Sequence, residues 1–191
     1  MAATGSQAPL GGTRVSASPA AAAGRPALPP LFDDKQAKVQ RLITAKEKSG
    51  KTFSQIADEV GLTNVYTAQL FFNQQQLQPN TVAALRKAVP ALTDDDVDDM
   101  QRVPHRSFNP EILQEPSLYR VHEAICHAGD SIKALINEHW GDGIMSGIGF
   151  FGTVDKAVGL DGEPRIIITL NGKFLAYTEQ KVEGNIAQRK D

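Results

Sequence analysis

Apolar residues recur at helical spacing through the first half of the chain and at strand spacing near its end. Val39, Leu42, Ile43 and Ala45 fall on one face and predict a first helix. Ile56, Ala57 and Val60 predict a second, with Thr52 or Ser54 as its N-cap and Gly61 as the residue that ends it. A third is predicted from about Asn64 to Asn73. A fourth runs from about Asn80 to Val89, with Val82, Leu85 and Val89 on its stripe and Pro90 stopping it. Thr93 is placed to cap a short acidic helix. Asp94, Asp95 and Asp96 occupy its first turn, where the helix dipole favours negative charge.

Pro104, Pro110 and Pro116 then predict an extended linker over 103–116. A helix is expected from about Ser117 to His127, stopped by Gly129. Asp130 or Ser131 would cap the next, which ends at Gly141. From Gly147 the period becomes two. Ile166, Ile168 and Leu170 alternate with Arg165, Ile167 and Thr169. Residues 148–158 supply another candidate strand. Asn171-Gly172 carries a type I′ turn signal, so Lys173 to Tyr177 is expected to return as a partner strand. The predicted class is α+β: an N-terminal helical bundle with a helix-turn-helix-like arrangement, then a small C-terminal α/β domain with antiparallel strands.

Composition adds boundaries. The chain has 191 residues, enough for one sizeable domain or two small ones. Residues 1–32 are rich in Ala, Gly, Pro and Ser, carry Arg14 and Arg25, and have no acidic residue. They bury too little apolar surface to offset their ordering entropy and read as a disordered extension. The same composition suits a transit peptide, though two arginines are few. Residues 33–102 form the helical domain, 103–116 the linker, 117–177 the C-terminal domain and 178–191 a polar tail.

The net charge of −2 gives the chain as a whole no pull toward nucleic acid or an anionic membrane. No apolar run approaches the roughly 20 residues that span a bilayer. The single cysteine, Cys126, excludes an intramolecular disulfide and suits a reducing compartment. A cytoplasmic location is expected, or an organelle matrix if residues 1–32 act as a transit peptide.

The second and third helices suggest DNA binding, with the Asn64 to Asn73 helix in the major groove. Charge opposes this. No Lys or Arg occurs from Thr52 to Leu85, and phosphate contacts need cations. The simpler reading is packing or oligomerisation, with Leu70, Phe71 and Phe72 facing a core or a partner subunit. His105, His122, His127 and His139 show no metal-binding motif, and His122 and His127, five apart, do not share a helix face. Trp140 and Cys126 are expected in a core or an interface.

Arg120 and Glu123 are neighbours on a helix face at i and i+3. A guanidinium offers a permanent charge and a rigid fork of donors to a small anion. The carboxylate can orient it or handle protons. Taken alone, such a pair is ordinarily a surface ion pair worth under about 1 kcal/mol. Ser146 follows Gly141-Asp142-Gly143, whose glycines permit tight turns and close backbone approach. Its hydroxyl can donate to an anion; alone, it is ordinarily a turn serine bonded to local backbone. No Gly-x-Ser-x-Gly elbow is present.

Together these segments resemble the cyanases, also called cyanate hydratases or cyanate lyases. Tyr119, Arg120 and Glu123 match the family's Tyr-Arg-x-x-Glu helix. Gly141, Asp142, Gly143, Ile144 and Ser146 match its Gly-Asp-Gly-Ile-x-Ser segment at the expected separation. The resemblance covers about residues 36–177. It implies bicarbonate-dependent decomposition of cyanate to ammonia and carbon dioxide through carbamate, with neither metal nor organic cofactor. It implies decamers of five intertwined dimers with active sites between subunits. Arg120 would hold the anions, Glu123 orient it and assist proton handling, and Ser146 hydrogen-bond the anion. Cyanate and bicarbonate are then the small-molecule partners, with no nucleic acid and no membrane; detoxification and nitrogen supply both remain as purposes.

Three departures accompany the match. Gly147 and Gly149 stand where the family more often has Ala and a polar residue. Ala176-Tyr177 and a longer tail replace the usual ending. The N-terminal extension has no counterpart in shorter members. Two other readings stay open: a helix-turn-helix regulator whose C-terminal domain senses a small anion, and an oligomerisation module with a degenerate site.

Overall fold

The computed structural model describes residues 30–181, with side chains from residue 34. The rest of the N-terminal extension and the tail beyond residue 181 lie outside the described residues. Helix α1 spans Pro30–Lys48, α2 Phe53–Val60, α3 Asn64–Phe71, α4 Val82–Ala88 and α5 Asp94–Gln101. Pro79–Thr81 forms a 3-10 turn leading into α4. Local chemistry sets these ends. The Thr52 hydroxyl accepts from the Gln55 N–H while the Gln55 side chain accepts from the Thr52 N–H, closing a capping box. Gly61 ends α2 in the left-handed region at φ 72°. Thr93 and Asp96 make the same reciprocal cap on α5.

The core is helical. Leu42 and Ala45 from α1, Ile56 from α2, Leu70 and Phe71 from α3, Leu85 from α4, and Val97 and Met100 from α5 are buried together. Phe72 stays largely exposed. Among the described residues no helix is long and apolar enough to cross a membrane.

Residues 103–116 are pinned rather than free. Lys35 Nζ donates to the His105 carbonyl at 3.0 Å and to Ser107 Oγ at 3.3 Å, and Gln74 Nε2 donates to the Ser107 carbonyl. Pro110–Gln114 makes a second 3-10 turn where an extended segment was expected.

Two expectations for the C-terminal half are corrected. Gly129 does not stop a helix: α6 runs unbroken over 25 residues, Pro116–Trp140. One interior glycine costs a helix only about 1 kcal/mol, and Asp130 and Ser131 continue the turn without a proline to break it. Asn171-Gly172 is not a turn. It lies inside β2, Pro164–Ala176, which pairs antiparallel with β1, Gly143–Val158, as a two-stranded hairpin. Asn171 sits opposite Phe151 and Gly172 opposite Phe150. The hairpin turn is Gly159–Glu163, where the Gly159 N–H donates to the Glu163 carbonyl and Gly162 takes φ +81°. Gly172 serves close approach instead: a Cβ there would run into the Met145 side chain and lie 2.9 Å from the Ser146 carbonyl oxygen.

Candidate functional site

Glu115 caps α6, its carboxylate accepting from the Leu118 N–H at 3.0 Å. One turn later Arg120 Nη1 donates to Glu123 Oε2 at 2.6 Å. Glu123 is the only hydrogen-bond partner of Arg120 among the described residues, and the guanidinium also lies over the Tyr119 ring at 5.6 Å. The Arg120 side chain is 71% exposed. Most of its donor fork is therefore free for an anion, while Glu123 fixes one end.

Gly141 ends α6 at φ 83°, ψ −157°, a conformation open to glycine alone. Gly143 is required sterically, since a Cβ there would strike the Phe174 ring and approach the Leu175 carbonyl to 2.5 Å. Lys133 ties the helix to this turn through Asp142 Oδ1 at 3.2 Å and the Gly143 carbonyl at 3.3 Å. Trp140 stacks on Phe174, with ring centroids 6.2 Å apart.

Just beyond, β1 bulges. Four residues, Ser146 to Gly149, lie opposite the single Lys173. Ser146 closes the bulge: its Oγ accepts from the Ile148 N–H at 3.1 Å and the Gly149 N–H at 2.9 Å. It is 8% exposed. Both hydroxyl lone pairs are thereby used, so the O–H proton is left free to donate. Bulges recur beside active sites because they re-aim a side chain. Gly149 would tolerate a Cβ in ordinary contact with Ser146, and Gly147 faces open space.

Arg120 and Glu123 are thus brought together, and Ser146 is not joined to them. Among the described residues no hydrogen bond or ion pair connects it to either. Near Ser146, a cavity of about 830 Å³ opens between the α2–α3 turn, α3 and β1, lined by Leu62, Val65, Tyr66, Ile148 and Phe151. Arg120 and Glu123 do not line it.

The surface of α6 and the hairpin is unlike that of a finished globule. None of the 25 residues of α6 is buried. Leu118, Ile125, Ile132 and Leu135 on the helix, and Phe151, Ile166 and Leu170 on the strands, all stand exposed. Trp140 and Cys126, expected in a core or an interface, are exposed in the single chain and belong to no core.

Three features escaped the reading of motifs. Asn64 bonds the backbone of Val154 on β1. Gly172 makes room for Met145 and Ser146. Cys126 Sγ lies 3.6 Å from His122 Nε2. Only the last had a local signal, its i, i+4 spacing.

Residues 110–179, which include Arg120, Glu123 and Ser146, match the family model of the cyanate lyase C-terminal domain. The cyanate hydratase of Arabidopsis thaliana is 51% identical over 154 residues, covering 81% of this chain and 92% of that protein. That of Phaeodactylum tricornutum is 50% identical over 149 residues, 78% of this chain and 77% of that protein. The crystal structure of cyanase from T. urticae matches with a TM-score of 0.65 at 26% identity, covering 74% of this chain and 99% of that one.

Proposed function

The chain belongs to the cyanase family, and on that premise we propose that it decomposes cyanate in a bicarbonate-dependent reaction at a site built from Arg120, Glu123 and Ser146. The observation that carries the reading is the 51% identity to a cyanate hydratase over most of both chains. The geometry supports the roles. Bicarbonate adds to the cyanate carbon; with one proton, the adduct loses carbon dioxide and leaves carbamate. Carbamate takes a second proton and breaks into ammonia and carbon dioxide.

Both reactants are anions and repel in water. Fixed cations and donors in a dry site hold them in contact and make the encounter unimolecular. Arg120 supplies charge and a fork of donors. Ser146 supplies an O–H held in place by the bulge amides of Ile148 and Gly149. Such preorganised groups stabilise the charge that develops on attack. Glu123 orients Arg120 and assists proton handling.

One Arg120 cannot balance two anions, and the single chain leaves Ser146 unjoined to it. A site shared between subunits answers both points. The uncovered apolar residues of α6 and the hairpin support association, because monomers rarely expose such patches. Five intertwined dimers is the arrangement proposed here. The proposed location is the cytoplasm, or an organelle matrix if the N-terminal extension is a transit peptide.

The regulator reading is not favoured. The N-terminal end of α3, which would meet base edges, is taken up by β1 through Asn64.

The test is ammonia release from cyanate by the purified chain, with and without bicarbonate, after treatment with a chelator. Bicarbonate-dependent release is expected. Folded, oligomeric protein that releases none would overturn the proposal.

A further inference from the structure

We propose that Lys173 and the Ser146 hydroxyl together form a subsite for a small inorganic monoanion at the β1 bulge. On the reading that the site acts on cyanate, on which this rests, Lys173 supplies the second positive charge that two anionic reactants require.

The geometry at Gly149 carries the inference. Lys173 is the single residue of β2 opposite the four of the bulge, Ser146 to Gly149. A Cβ built on Gly149 would sit 3.6 Å from Ser146 Oγ and 3.7 Å from Lys173 Cβ. The hydroxyl and the root of the lysine side chain therefore flank one gap, and glycine leaves that gap unfilled. The Ser146 oxygen already accepts from the Ile148 and Gly149 amides, so toward a ligand it is a donor. An ammonium on a flexible four-carbon stem adds further donors and a positive point charge. Donors and one charge around a gap of this size suit a small monoanion.

Lys173 is also unspent. It is exposed and makes no hydrogen bond or ion pair among the described residues. Lys133 on α6 is instead committed to Asp142 and the Gly143 carbonyl. Association through the apolar residues of α6 and the hairpin would take Lys173 out of water. A desolvated ammonium without a partner is costly, and a bound anion offsets that cost. Coverage by other subunits thus favours the subsite. Arg120 then answers one anion and Lys173 the other, and assembly brings the two together.

Azide is the probe, a linear monoanion of cyanate's charge and shape, titrated by calorimetry into the full-length protein. Lys173→Met keeps an unbranched stem and removes the charge. It is expected to weaken azide binding at least about ten-fold, the cost of losing one charged hydrogen bond. Lys173→Arg is expected to restore most of it. Ammonia release by the same preparations should show the KM for cyanate or for bicarbonate rising by a similar factor, with a smaller effect on kcat. Whichever KM rises identifies the anion held. Light scattering checks that each variant associates as the parent does. Undiminished azide binding in Lys173→Met, a loss that Lys173→Arg does not restore, or a loss that accompanies dissociation would overturn the proposal. If the parent releases ammonia and Lys173→Met binds azide as tightly, the subsite alone fails. If the parent binds azide through Lys173 and releases no ammonia, the reaction fails and the subsite stands.

Discussion

Asn64 and Val154 exchange two hydrogen bonds across 90 positions of sequence. Asn64 Nδ2 donates to the Val154 carbonyl at 2.7 Å, and the Val154 N–H donates to Asn64 Oδ1 at 3.1 Å. The side-chain amide acts as a one-residue strand on the edge of β1 that β2 does not cover. Nδ2 also reaches Ser54 Oγ at 3.1 Å, so one residue clasps α2, α3 and the hairpin. Asn64→Asp removes both donations and sets a carboxylate against a carbonyl. The expected loss is about 1–3 kcal/mol, read by thermal unfolding. Asn64→Ala also removes the Oδ1 acceptor, and the Val154 amide should lose hydrogen-exchange protection in that variant. An unchanged amide would mean that the clasp does not hold the hairpin.

Arg120→Ala and Ser146→Ala are expected to lower turnover of cyanate by roughly 10²–10³-fold, the cost of losing one preorganised donor. Arg120→Lys should rescue little, because a point charge does not replace the fork held by Glu123. Steady-state ammonia release checks all three, with circular dichroism confirming the fold. Parent-like rates in the alanine variants would remove these residues from the site.

Gly172→Ala and Gly147→Ala form a matched pair. The added methyl at 172 meets Met145 and the Ser146 carbonyl, whereas at 147 it meets nothing within 4 Å. Gly172→Ala is therefore expected to displace the Ser146 bulge and reduce activity at least about ten-fold, as a misplaced catalytic group does. Gly147→Ala should alter stability by no more than about 0.5 kcal/mol. Equal effects would remove Gly172 as the residue that seats Ser146.

Asp96 gives an acid limb to stability. Burial pushes its pKa up, but the Thr93 hydroxyl, the Thr93 N–H and Arg41 outweigh burial and bring it below the usual value. A depressed carboxylate pKa stabilises the fold above its unfolded value of about 3.9 and loses that contribution as pH falls through the lower folded value. Melting curves of the parent and Asp96→Asn from neutral to acid pH check this. The parent's advantage at neutral pH should begin to decline near about pH 4 and be lost only once the pH falls below the lowered folded value. An advantage that persists there would contradict the ionised cap.

Thr67 is fully buried, and among the described residues its hydroxyl has no hydrogen-bond partner. Thr67→Val replaces that orphaned group by a methyl of similar size and is expected to raise stability by roughly 1 kcal/mol. A drop on denaturant titration would show that the hydroxyl has a partner.

By itself the sequence determined what is settled within a few residues. Thr52, Gly61 and Thr93 end helices because a cap satisfies neighbouring backbone groups. The Arg120–Glu123 pair follows from helical spacing, and the residues later covered by the family match were legible as motifs. Tertiary structure decided what depends on distant partners. Gly129 reads locally as a stop, yet one glycine is too weak to interrupt a long helix. Asn171-Gly172 reads locally as a turn. The pairing of β2 along β1 outweighs that preference, and the missing Cβ at Gly172 is used by Met145 and Ser146 instead. Asn64 carried no strand-like signal, because its partner is the backbone of Val154, and a backbone group has no letter in the sequence.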